Sequence, residues 1–141
     1  MLNEEEIVNV RRFYEEVLSK GDLAVANEIL STDFLDHGGP PDAPRGIEGV
    51  KQLLAMLANV FPDGHITIDD MVAGDGKAAV RLTARGTHSG PLMGFPATGK
   101  QVSWTGIDIL HISHGKISER WGERDFFGML MQLGLISPPE V

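Results

Sequence analysis

Apolar residues recur at intervals of three and four through the first twenty positions. Ile7, Val10, Tyr14, Val17 and Leu18 fall on one face, which predicts an amphipathic helix over residues 4–20. Glu4, Glu5 and Glu6 occupy its first turn, where the helix dipole favours acidic side chains. Gly21 stops it, and Asp22 is placed to cap a second helix running to Leu30. Phe34 to His37 predicts a short strand, and Gly38 to Pro44 a loop. Ile47, Val50, Leu53, Leu54, Leu57 and Phe61 form the stripe of a third helix, ended by Pro62-Asp63-Gly64. Beyond His65 the period changes to two. Residues 65–73, 77–88, 101–113 and 116–123 are expected strands. Gly74-Asp75-Gly76 and Ser113-His114-Gly115-Lys116 are hairpin signals, and 89–100 is a long connection. A short helix over 126–133 precedes Gly134.

Three helices followed by hairpin-connected strands define an α+β chain rather than an alternating α/β one. The expected architecture is a single domain over residues 1–141: a curved antiparallel sheet with helices packed over its concave face. Such a layout leaves an apolar cavity suited to a small-molecule ligand. Composition then removes other classes. The formal charge is -8 with no basic cluster, so nucleic acid is not an expected partner. The absence of cysteine excludes disulfides and thiolate metal sites. No apolar run approaches the length needed to span a bilayer, so no membrane partner is expected. The first residues lack the basic-then-apolar pattern of an export signal, and the cytoplasm is the expected location.

Three groups of residues carry a family resemblance. The first is Gly86-Thr87-His88-Ser89-Gly90 with Gly94-Phe95-Pro96-Ala97-Thr98-Gly99-Lys100. The second is Gly115-Lys116-Ile117 with Glu119 and Trp121, and the third is Asp125 with Gln132-Leu133-Gly134. In order and spacing, over residues 4–135, the chain resembles the SnoaL-like polyketide cyclases of the nuclear-transport-factor-2-like superfamily. The resemblance implies a cone-shaped half-barrel, a homodimer, and an intramolecular aldol closure that uses no metal and no organic cofactor. It also implies an aspartate that exchanges protons and a pocket that stabilises an enolate. Aligned on Gly115-Lys116-Ile117, the family's aspartate position is Gly122, and its nearby histidine position is Asp108.

The hairpin at 113–116 decides which side chains meet. A two-residue turn at His114-Gly115 pairs Asp108 with Trp121 and Trp104 with Asp125. A three-residue loop with Gly115 as a left-handed bulge pairs Asp108 with Arg120 and Trp104 with Arg124. The bulged loop is preferred, because it sets a carboxylate against a guanidinium. It also groups Trp104, Asp108, Arg120 and Gly122 on one face. Asp108 is therefore the candidate acid/base, with Arg120, His37 or His88 to polarise a carbonyl. Trp104, Trp121, Asp125, Met93 and Phe95 are the candidate pocket residues. Asp125, immediately before Phe126-Phe127-Gly128, first suggests a helix N-cap, and His88 could instead brace the loop that follows it.

The favoured function is cofactor-free acid/base chemistry on a bulky apolar carbonyl compound, an aldol closure or isomerisation. The main alternative is a non-catalytic pocket protein. Epoxide opening is a second, since Asp108, Arg120 and an acid such as Asp36 could form an Asp-Arg-Asp set. A dimerisation module with a vestigial pocket is a third.

Overall fold

The first helix begins where the sequence supplies its caps. Asn3 Oδ1 accepts from the Glu6 amide at 2.8 Å and Glu6 Oε1 accepts from the Asn3 amide at 3.0 Å, a reciprocal capping box. Helix α1 spans Glu4–Arg12, and the chain then widens into a π-helical segment, Phe13–Leu18, before Gly21 turns it at φ 68°. The structure, a computed structural model, describes residues 1–39 and 41–140, so Pro40 of the expected 38–44 loop lies outside the described residues. Asp22 caps α2 (Leu23–Ile29) through the Val25 amide. No linker follows: Leu30 opens strand β1, Leu30–Asp36, which is longer than the pattern suggests. Helix α3 (Ile47–Val60) leads to β2 (His65–Gly74), β3 (Lys77–Thr87), β4 (Gln101–Ser113), β5 (Lys116–Arg124) and α4 (Phe126–Gln132).

The five strands lie in the order β1-β5-β4-β3-β2, and β4 is the centre. The pairs among β2, β3, β4 and β5 are antiparallel; β1 lies parallel to β5, which makes the sheet mixed and open rather than purely antiparallel. Ala78, Val80, Leu82 and Ala84 of β3 and Val102, Trp104, Asp108 and Leu110 of β4 are buried at alternate positions, as a one-faced strand requires. Val10, Phe13, Tyr14, Val17 and Leu18 cover one end of this face together with Ile29, Phe34 and Val50. Val60, Phe61, Met129 and Leu133 cover the other end, around Trp104.

The β4–β5 hairpin follows neither expected register. His114 (φ 53°) and Gly115 (φ 79°) form a two-residue turn that closes Ser113 on Lys116 and Ile112 on Ile117. Ser118 is then bulged out, its Oγ donating to the His111 carbonyl at 3.1 Å, and pairing resumes with His111 opposite Glu119. The bulge shifts every later pair by one. Asp108 therefore faces Gly122, and Arg124 faces Gly106. Relative to the preferred loop the slip is two residues, so Trp104, Asp108, Arg120 and Gly122 still share a face.

Asp125 caps α4, its Oδ1 accepting from the Gly128 amide at 2.9 Å. Asp125→Ala is expected to lower stability by about 1 kcal/mol. A shifted urea midpoint with an unchanged slope would show this.

Candidate functional site

The buried polar or charged side chains among the described residues are His88, Asp108 and Arg120. Asp108 is wholly enclosed at the middle of the central strand. A carboxylate cannot be buried there without donors, and five hydrogen bonds reach it. Oδ1 accepts from Arg124 Nη1 at 2.6 Å and Arg120 Nη2 at 3.2 Å. Oδ2 accepts from the Tyr14 hydroxyl at 2.7 Å, Arg120 Nε at 3.0 Å and Arg124 Nη2 at 3.1 Å. Arg120 also holds Asp36, its Nη1 donating to both carboxylate oxygens at 2.8 and 2.9 Å. It thus bridges two acids, one from β1 and one from β4.

Each partner is delivered by local structure. Tyr14 lies in the π-helical segment and meets a residue 94 positions away. Asp36 pairs with Arg120 across the parallel β1–β5 ladder. Arg120 and Arg124 are four apart on β5, so both project to the concave face. Glycine makes the room. A Cβ at Gly122 would collide with the Asp108 carboxylate and the Arg120 guanidinium, and one at Gly106 with the Arg124 side chain.

Burial pushes the Asp108 carboxyl up, but the Arg124 hydrogen bond and the charges of Arg120 and Arg124 outweigh it and hold the group below its ordinary value. Burial and the neighbouring Asp108 charge drive the Tyr14 hydroxyl well above its ordinary value, so it stays a donor. The nearby carboxylates raise Arg120 despite its burial.

A cavity of about 120 Å³ is walled by Leu54, Leu57, Phe61, Ile66 and Trp104, with Lys20, His65 and Arg85 also on its lining; no residue of the network lines it. Trp104 is buried against Phe61, ring centroids 4.8 Å apart. Asp108 does not line the cavity; Gly106, with Arg124 over it, separates the two along β4.

The other sequence candidates lie elsewhere. Trp121 alternates with Arg120 and Gly122 and is exposed on the outer face. His37 stacks on it at 4.6 Å and contacts Glu119 Oε2 through Nε2 at 2.8 Å, while His111 packs against the same indole. His37 and Trp121 are thus on the opposite side of the sheet from Asp108. His88 is buried but braces the 89–100 connection: its Nδ1 accepts from the Thr98 amide at 3.2 Å, and Nε2 has no protein partner. Met93 is exposed at the tip of a tight turn closed by Leu92 and Phe95, and Asp125 caps α4. Tyr14 and Arg124 were not singled out from the sequence. The available signals were a lone tyrosine on an apolar helix stripe, which when buried needs a partner for its hydroxyl, and the shared parity of Arg124 with Arg120. No group of three or more metal-ligating side chains converges among the described residues, and no helix there is long and apolar enough to cross a membrane.

An α+β fold with an open, cone-like sheet is the architecture of the SnoaL-like polyketide cyclases. The model of that family matches residues 8–133, and the chain belongs to it. It is 28% identical over 128 residues to the aklanonic acid methyl ester cyclase DnrD of Streptomyces peucetius, covering 89% of this chain and 88% of the relative. Among solved structures it is similar to TsrD of Streptomyces laurentii (TM-score 0.87, 29% identity, 96% and 100% of the two chains covered). It is also similar to IdmH of Streptomyces antibioticus (TM-score 0.81, 33% identity, 92% and 98% covered).

The lowered Asp108 value makes a pH prediction. The folded protein holds this proton less tightly than the unfolded chain does. The network's stabilisation is therefore complete above the unfolded carboxyl value of about 3.9 and is lost as pH falls through the lower folded value. Asp108→Asn is expected to be less stable than wild type at pH 7, with the difference shrinking on acidification below about pH 4. Urea midpoints across pH 2–7 would test this; a constant difference contradicts it.

Proposed function

We propose that this chain catalyses cofactor-free proton transfer at a carbonyl compound, with Asp108 as acid/base, leading to intramolecular aldol closure. The observation that carries the reading is the position of Asp108. It is an enclosed carboxylate at the centre of the concave face, across from Gly122 and on the same face of β4 as Trp104, which lines the cavity. In the step envisaged, the carboxylate takes the proton alpha to a carbonyl. The C–H electron pair becomes the enolate double bond and the carbonyl π pair moves to oxygen. The enolate carbon then attacks a second carbonyl of the same molecule, and the resulting alkoxide takes the proton back. An arginine beside the oxygen stabilises the charge as it develops.

The relative DnrD is named for aklanonic acid methyl ester, which makes that compound the first substrate to try. If the reading holds, wild type converts it, Asp108→Asn is slower by about 100-fold or more, and Asp125→Ala is not. Product analysis by chromatography and mass spectrometry is the measurement; full turnover by Asp108→Asn rules out the acid/base role. A second reading, a non-catalytic pocket protein, is supported by the five donors that occupy Asp108. Binding of the same compound without conversion favours it.

We also propose a homodimer through the outer face of the sheet. Ile107, Ile109 and Trp121 are exposed there on adjoining strands, an apolar patch beside Arg81 and Glu123 that a second copy would cover. Ile109→Asp is expected to shift sedimentation from dimer to monomer. A wild-type monomer at high micromolar concentration overturns this.

A further inference from the structure

The outer face of the sheet is ordered in rows. β4 is the middle of the five strands, with β3 on one side and β5 on the other. Alternation turns Lys77, Ala79 and Arg81 of β3, Ile107, Ile109 and His111 of β4, and Glu119, Trp121 and Glu123 of β5 to this face. The two ladders set them side by side. Lys77, His111 and Glu119 form one row, Ala79, Ile109 and Trp121 the next, and Arg81, Ile107 and Glu123 the third. Val72 of β2 extends the middle row beyond Ala79 and is 68% exposed. In the first and third rows the cation lies on β3 and the carboxylate on β5. Neighbouring strands are roughly 5 Å apart, so these charges are separated by roughly 10 Å and cannot pair within one chain. Lys77 and Glu123 make no salt bridge among the described residues, and Arg81 reaches only Asp69, at 3.8 Å.

We propose that two copies of this chain pack outer face to outer face about a two-fold axis running parallel to β4, with reciprocal Arg81–Glu123 and Lys77–Glu119 contacts on either side of a shared apolar band. This rests on the homodimer reading of the outer face, and it names the symmetry of that dimer and the residues that select the partner. A rotation about this axis lays β3 of one copy over β5 of the other and returns each row onto itself. Arg81 then faces Glu123 of the second copy, and Lys77 faces its Glu119. Ile107 and Ile109 each meet their own counterparts. The small Ala79 leaves room for the second copy's Trp121, and Val72 comes to the side of that indole on which His37 is stacked. A two-fold axis across the strands fails the same comparison, because it lays β3 on β3 and sets Lys77 and Arg81 against the same cations. Aligned sheets pack with their strand directions within about 30° of each other, as the axis along β4 requires. The three rows are consecutive, so sheet twist displaces their pairings little. The face is thus complementary to itself, and a partner without this order of charges would meet like charge.

The test is an exchange of charge between copies, followed by sedimentation velocity of the full chain. Arg81→Glu places a carboxylate opposite Glu123 in both reciprocal contacts, and Glu123→Arg places a guanidinium opposite Arg81 in both. Each variant alone is expected to dimerise about 100-fold more weakly than wild type. An equimolar mixture of the two is expected to regain a dimer of near wild-type affinity, because one chain then brings two acids and the other two cations. Recovery in the mixture also shows that both variants fold. A wild-type dimer whose single variants associate as tightly as it does, or whose variant mixture stays monomeric, overturns this axis and leaves the dimer itself standing. A wild-type monomer at high micromolar concentration overturns both.

Discussion

The fold is organised around the burial of one negative charge. An isolated carboxylate in an apolar interior is so unfavourable that it is met by compensating donors or loses its charge. Asp108 keeps its charge, because two guanidiniums and a phenol close on it. The chain supplies these donors from two separated segments, the π-helical turn that carries Tyr14 and strand β5, and much of the local geometry is what that convergence demands. The π-helical widening around Tyr14, the bulge at Ser118 and the missing Cβ atoms at Gly106 and Gly122 all bear on where the donors end up. Removing one member would leave the others buried and unmatched, a loss of about 3–5 kcal/mol in comparable networks.

With Gly122 at the position where the resemblance places an acidic side chain, the carboxylate comes from the facing strand instead. The two positions are directly opposed in the ladder, so one volume cannot hold a side chain from both. The cavity that Trp104 lines does not surround the charge.

Much of this was legible in the sequence, for identifiable reasons. Helices α1 and α3 show as stripes because each buries one face. The strands show as period-two runs because β3 and β4 bury every second residue. The preferred loop placed Arg120 on the face of Asp108, and a two-residue difference in register preserves that parity where a one-residue slip would have reversed it; the glycine at 122 was visible as a departure. The register itself was hidden, because a bulge such as Ser118 leaves no compositional mark. The parallel placement of β1 was hidden as well, since it depends on a partner strand more than eighty residues away. His37 looked close to a pocket mouth because it ends a strand beside the 38–44 loop, but alternation sends its side chain and that of Asp36 to opposite sides of the sheet. Tyr14 passed as one more apolar position on a helix face.

The network's sequence separations have a kinetic meaning. Tyr14 and Asp108 are 94 residues apart, and Asp36 and Arg120 are 84 apart. Contacts of such span are closed after local helices and hairpins have formed, because chain entropy must first be overcome. The β4–β5 hairpin can bring Asp108, Arg120 and Arg124 together early, whereas Tyr14 and Asp36 arrive only when the N-terminal third docks. Until then the hairpin carries two arginines against one carboxylate, a surplus positive charge facing the future core. Completion of the fold and neutralisation of that charge are therefore the same event, and a chain that stalls short of docking remains open to solvent at its concave face.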